Sequence, residues 1–466
     1  MFKDKRPGKW LLLAALLAAI VIGLLLFFGM QAKAANGKFL PIKDITTPGG
    51  ISVWLVEDHS LPIVSMNFLF LDSGTALDPQ DKQGLARMLS NTMDEGAGEL
   101  DSQAFQKMLS DHSITLAFSA SRDGFGGQLK SLTRNSALAF GLLERAMNAP
   151  RFDEEAVARM KAGNLSRIKS SLSEPDWMAA RLINDKAYPG HPYGKNSGGT
   201  ISGIEKITPQ DLRDFKEKYL TRDRLLVAAV GDIDPETLGP AIDKAFGKLP
   251  AKGPAVDITD VSIANGGKIY LYGQPIPQTM VEIMLPAVDS KDPDYYAQQV
   301  MNYIYGGAGF GSRLMEEARE KGGLTYGIYS GVVDYRHNDA LTISTSTKNG
   351  SAKQMLDIVS AQMLRLRNEP VAAKELKDAK SYLIGSIPLH LTSSDQIAGM
   401  MMSLRTRGLP IDYLDRLEDK INAITPADIQ RVANRILKPE GMVTVLVGKP
   451  EQITNADIVK ELPNVQ

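Results

Sequence analysis

Two copies of one short pattern, Ile-Thr-Pro-x-Asp, constrain this chain more than any other feature. Ile207-Thr208-Pro209-Gln210-Asp211 opens a helical pattern through Tyr219, and a strand-like run, Leu225 to Val230, follows and ends at Gly231. Ile424-Thr425-Pro426-Ala427-Asp428 opens another helical pattern through Leu437, with Met442 to Val447 and then Gly448 behind it. Each element recurs 217 positions later. Thr208 and Thr425 stand where an N-cap hydroxyl belongs, a proline takes the first helical position, and Asp211 and Asp428 sit in the first turn. Cap, helix, strand and glycine at one common offset predict two duplicated domains.

The front ends follow the same order. Ile51 to Val56 and Ile63 to Leu71 alternate like paired strands around a turn at Asp58-His59, and Lys268 to Tyr272 and Thr279 to Leu285 do the same in the second half. Each half then carries a helix, more strands and a long helical region. The predicted fold class is α+β, each domain an antiparallel-rich sheet packed with helices. The domains fall at residues 37–250 and 264–466, joined where Pro, Gly, Asp and Asn cluster between Pro250 and Gly267. A chain of 466 residues has ample length for two such cores.

Residues 1–36 read differently. Trp10 to Met30 contains no charged residue, and as a helix it would span about 31 Å, the thickness of a bilayer core. Lys3, Lys5, Arg6 and Lys9 precede it, so the positive-inside rule leaves the N-terminus in the cytoplasm and carries the body across. This predicts one transmembrane helix at residues 10–30, an inner-membrane anchor with the body in the periplasm. The alternative is a cleaved signal peptide, since Ala32-Lys33-Ala34 resembles a small-x-small cleavage site. A net charge of −1 gives no argument for nucleic acid. The absence of cysteine excludes disulfides, thiolate metal sites and a cysteine nucleophile.

Candidate chemistry concentrates between Gly306 and Gly331. A glycine-rich turn (Gly306, Gly307, Gly309, Gly311) follows a helical pattern over Tyr295 to Tyr303 and leads into a short helix carrying Arg313 and Arg319. No lysine follows these glycines, so they fit a helix-entry turn better than a phosphate loop. Gly322-Gly323 stops the helix, and Leu324 to Tyr329 reads as a strand carrying Tyr326, seven residues beyond Arg319. In the first half, Lys82 to Glu95 reads as a helix with an apolar stripe of Leu85, Met88, Leu89 and Met93. Arg87, Ser90 and Asn91 share another face at offsets 0, 3 and 4.

Those offsets are the ones an H-x-x-E-H helix uses, with two histidines converging on zinc and the glutamate acting as base. The run from Ser312 through Tyr326 and the context of Gly84 to Leu89 resemble the pitrilysin/insulinase family of inverted zinc metallopeptidases. Val56 to Pro62, His191-Pro192-Tyr193-Gly194 and the two Ile-Thr-Pro-x-Asp segments match in the same order, over about residues 38 to 450. In this likeness Arg87 and Asn91 stand where the histidines fall, Ser90 where the glutamate falls, and Ser166 or Arg167 near the third ligand. A permanent guanidinium repels Zn²⁺, and a serine cannot serve as the base. No metal site is therefore expected in this chain, and the five histidines show no metal-ligand spacing.

The resemblance implies a clamshell closing on an extended peptide, with zinc on one side and an Arg/Tyr pair facing it. Tyr326 would stabilise the developing oxyanion, and Arg319 would orient the substrate or Tyr326. The glycine run sits where the non-catalytic subunit of processing peptidases engages substrate. The implied function is the non-catalytic, complementing subunit of a two-chain peptidase, with zinc supplied by a homologous H-x-x-E-H partner. The other reading is an inactive peptide-binding or scaffold protein of the same fold.

Overall fold

The computed structural model describes residues 38–466. The expected span at residues 10–30 lies outside the described residues, and among them no helix is long and apolar enough to cross a membrane. Two six-stranded sheets organise the chain. The first contains β1 (Lys43–Thr46), β2 (Ser52–Glu57), β3 (Ile63–Leu71), β4 (Thr115–Ala120), β5 (Gly124–Leu132) and β6 (Leu225–Gly231), in the order β1-β2-β6-β3-β5-β4. The second contains β7 (Ile269–Gly273), β8 (Gln278–Pro286), β9 (Ile328–Asp334), β10 (Asp339–Lys348), β11 (Val443–Gly448) and β12 (Asp457–Val459), in the order β12-β7-β11-β8-β10-β9. The two orders match strand for strand except at one edge, where β1 comes from the front of the described chain and β12 from its back.

The repeated Ile-Thr-Pro-x-Asp segments are two capping boxes of the same geometry. Thr208 Oγ1 accepts from Asp211 N at 3.2 Å while Asp211 Oδ2 accepts from Thr208 N at 2.8 Å, opening the helix Pro209–Tyr219. Thr425 and Asp428 repeat both bonds at 3.2 and 2.8 Å at the start of Pro426–Ile436.

One expectation about the strands is corrected. β2 and β3 do not pair around Asp58-His59; β6 lies between them, parallel to β2 and antiparallel to β3. β11 separates β7 from β8 in the same way. The cause is burial on both faces. Val227 and Ala229 join the inner core, and Ala228 and Val230 are buried on the opposite side, so β6 needs a neighbour on each edge and a cover on each face.

Those covers are exchanged between the halves. The outer face of the first sheet, Trp54, Val56, Ala228 and Val230, packs against Ala398, Met401 and Leu404 of the helix Ser394–Thr406. Arg405 of that helix donates to the carbonyls of Val227 and Ser52, at 2.5 and 3.1 Å. Reciprocally, Met178, Ala179, Leu182 and Ile183 of the helix Pro175–Ala187 pack on Met280, Met284, Val443, Val445 and Val447 of the second sheet. The methionine run at 400–402 is thus core packing between halves, with Met401 fully buried.

Candidate functional site

The helix Tyr295–Asn302 does not end at the glycines but widens into a π turn over Tyr303–Gly307. Gly306 permits this turn to touch β9: a Cβ there would sit 2.5 Å from Ser330 Oγ and 2.8 Å from its main-chain nitrogen. Gly307 is also crowded, by Asn302. Gly309 and Gly311 occupy an open turn around Phe310, a residue 65 % exposed. The four glycines are therefore divided, two packed against the fold and two facing open space. Ser312 then caps Arg313–Met315, and the backbone continues as a second π segment, Glu316–Lys321. The buried Arg313 anchors this segment with a two-pronged bond to Glu375, both prongs 2.7 Å.

The structure brings Arg319 and Tyr326 together. Arg319 Nη1 donates to the main-chain oxygen of Tyr326 at 2.7 Å, and its guanidinium lies 4.4 Å over the Phe310 ring. The Tyr326 side chain itself is 85 % exposed. The expected strand from Leu324 is corrected: β9 begins at Ile328, and residues 324–327 are irregular. Side chains satisfy their carbonyls in place of a ladder. Thr347 Oγ1 donates to Leu324 O at 2.7 Å and Thr345 Oγ1 to Gly327 O at 2.8 Å. Three successive anchors (Thr347, Arg319 and Thr345) thus hold a non-sheet segment still and leave one phenol projecting into solvent.

The first-half helix is shorter than expected, Leu85–Ser90 in place of 82–95. It starts where it does because the buried Asp78 carboxylate accepts from Gly84 N and Ala86 N, at 2.7 and 2.9 Å. Its stripe of Leu85, Met88, Leu89 and Met93 is buried. Ser90 Oγ donates to Arg87 O at 2.8 Å and so is turned toward its own helix. Arg87 and Arg167 line one cavity of about 260 Å³ with Arg181, Lys195 and Trp177. Burial and then the charge of Arg87 lower the pKa of Arg167; burial and then Arg167 push Arg181 down to about 9. Burial lowers Lys195, against the pull of Asp78. Zinc does not fit this donor set, which offers guanidinium and ammonium groups where a cation would need lone pairs.

Sequence does not single out Arg181 and Lys195; the cationic character of Arg87 and Arg167, at positions the resemblance marks, is the available signal. Among the histidines, His191 and His337 meet at Tyr193, with ring centroids 4.9 and 6.1 Å away, and His59 Nδ1 lies 2.7 Å from Asp232. Among the described residues no group of three His, Cys, Asp or Glu side chains could hold a metal ion.

Comparison with known proteins accords with this geometry. Residues 53–200 match the family model described as insulinase (peptidase family M16), and residues 206–383 match the one described as peptidase M16 inactive domain. The non-peptidase homolog YmxG of Helicobacter pylori is 24 % identical over 86 % of this chain and 91 % of its own length. The mitochondrial-processing peptidase subunit beta of Saccharomyces cerevisiae is 21 % identical, over 85 % of this chain and 89 % of that one. The crystal structure of a peptidase M16 inactive domain from Pseudomonas fluorescens superposes with a TM-score of 0.82 at 27 % identity, covering 90 % of this chain and all of that one. With two six-stranded α+β units in tandem and no ligand set at positions 87, 90 and 91, this chain belongs to the M16 peptidase family as a homologue without the zinc motif.

Proposed function

We propose that this chain is the non-catalytic, substrate-binding and transition-state-complementing subunit of a heteromeric zinc metallopeptidase acting on extended peptides or unfolded segments. One observation carries the reading: Tyr326 is held rigidly by its backbone yet projects freely into solvent. A side chain kept for packing would be buried, whereas a group that serves a second molecule must be exposed and fixed. The Tyr326 hydroxyl would donate to the scissile carbonyl oxygen as negative charge develops there, and Arg319 would hold the segment in place. Phe310, between the open Gly309 and Gly311, would add apolar contact with the peptide.

The partner in this reading is a homologous H-x-x-E-H chain that brings the zinc; relatives named as processing-peptidase subunits support a two-chain arrangement. The charge-free run at residues 10–30 supports a single-pass anchor in the inner membrane with the body in the periplasm. The Helicobacter relative is named a non-peptidase homolog, which favours a second reading as an inactive peptide-binding or scaffold protein.

The test is a pull-down of the tagged full-length chain from native membranes, with the eluate assayed for chelator-sensitive cleavage of unstructured peptides. Co-elution of an H-x-x-E-H homologue, with cleavage that Tyr326→Phe abolishes while assembly persists, is the expected result. No such partner, or cleavage indifferent to Tyr326→Phe, leaves the scaffold reading.

A further inference from the structure

The cavity beside the helix Leu85–Ser90 has a charge that the reading above does not use. Arg87, Arg167, Arg181 and Lys195 line it, and no aspartate or glutamate does. Their hydrogen bonds go to neutral oxygens. Arg167 Nη2 donates to Gly198 O at 3.1 Å, Arg181 Nη1 to Asn464 O at 2.5 Å and Nη2 to Gly199 O at 3.4 Å, and Lys195 Nζ to Asp78 O at 2.8 Å. The nearby Asp78 carboxylate accepts from Gly84 N and Ala86 N, lies outside the lining, and attracts Lys195. Nε of Arg87, Arg167 and Arg181 has no partner, although Arg181 is only 4 % exposed.

Carbonyl dipoles orient these forks but do not neutralise them. Arg181 is a buried cation and Arg87 and Arg167 are half-buried ones; without a counter-charge such groups are costly, and like charges side by side raise the cost further. The guanidinium carbon of Arg181 lies 3.6 Å over the centroid of the Trp177 ring, a contact that steadies the fork without discharging it. What completes such a set is a ligand with at least two negative charges and oxygens arranged for bidentate bonding.

We propose that this cavity binds a small doubly charged oxyanion, either a phosphate group or a dicarboxylate. The cavity of about 260 Å³ takes such an anion together with ordered water, at about 30 Å³ per water. The site is independent of the role given to Arg319 and Tyr326.

The experiment is isothermal titration calorimetry of the purified full-length chain in chloride buffer, with inorganic phosphate and with succinate as separate titrants. The expected result is saturable one-site binding of at least one of them, weakened about tenfold or more by Arg87→Gln or by Arg167→Gln. Tighter phosphate assigns a phosphate group, and tighter succinate assigns carboxylates. Arg87 is the safer site to change, because Arg167 holds a main-chain carbonyl and its loss also disturbs the loop at Gly198. In chloride alone, Arg87→Gln is expected to melt at a higher temperature than the parent, because one of two facing cations is gone. Absence of saturable binding with both titrants overturns the proposal, as does binding of unchanged strength in Arg87→Gln.

Discussion

Arg319 does not hold the phenol of Tyr326 but its backbone: Nη1 donates to the main-chain oxygen at 2.7 Å, and the side chain is left free. The two residues therefore have separable duties. Tyr326→Phe removes one hydroxyl from an exposed ring, so unfolding stability is expected to stay within about 0.5 kcal/mol of the parent. In the two-chain peptidase proposed above, kcat is expected to fall about 10²–10³-fold, the cost of one lost oxyanion donor. Arg319→Ala is expected to lower kcat comparably, by loosening the segment, and to increase amide hydrogen exchange at residues 324–327. Steady-state kinetics and exchange mass spectrometry check the pair.

The glycine run should respond position by position. Gly306→Ala forces a Cβ to within 2.5 Å of Ser330 Oγ and 2.8 Å of its nitrogen and is expected to cost about 1–3 kcal/mol in urea unfolding. Gly309→Ala meets no atom, but its φ of +57° is expected to cost about 1 kcal/mol. Gly311→Ala has neither penalty and is expected to be near neutral.

Arg313 and Glu375 form a largely buried pair that ties the Arg319 segment to the helix Ala373–Gly385. Breaking it on one side, by Glu375→Gln or Arg313→Met, is expected to cost about 3 kcal/mol. The double replacement Arg313→Met with Glu375→Leu should recover most of that loss. A double-mutant cycle by chemical denaturation measures the coupling.

Glu282 on β8 lies between Met280 and Met284, on the face that meets the helix Pro175–Ala187, and Ser344 Oγ donates to it at 2.5 Å. Burial raises its pKa from 4.5 to about 7, with Ser344 opposing and Asp176 adding slightly to the rise. A carboxyl whose folded pKa lies above the unfolded one takes up a proton on folding. Its contribution is therefore full below about pH 4.5 and is lost as pH rises through about 7. Glu282→Gln keeps the bond to Ser344 without the charge. It is expected to match the parent near pH 4.5 and to exceed its stability by about 2–3 kcal/mol at pH 8.5. Thermal or urea melts at the two pH values decide it.

Signals in the chain are legible where the physics is local. The capping boxes at Thr208 and Thr425 and the alternation of Ile63 to Leu71 depend on residues three or two apart, and both are present in the fold. Strand order is different. Nothing near Asp58-His59 states that Leu225 to Gly231, far down the chain, must enter between β2 and β3. The only hint is that β6 has no polar face. At Leu324 to Gly327 the pattern suggested a strand, but the hydroxyls of Thr345 and Thr347 take the carbonyls that a ladder would have used. The same limit applies to the cationic cavity. Residues 87, 167, 181 and 195 share no period, and only the folded chain places them around one space.

The exchange of helices between the two sheets bears on how such a chain can change over generations. Met178, Leu182 and Ile183 belong to the first half, yet they cover the apolar face of the other half. Ala398, Met401 and Leu404 return the service. Neither copy can be deleted without stripping its twin to bare β-sheet, a surface that invites aggregation. A duplicated chain wired in this way can change its site residues one at a time while both copies are retained for the sake of folding.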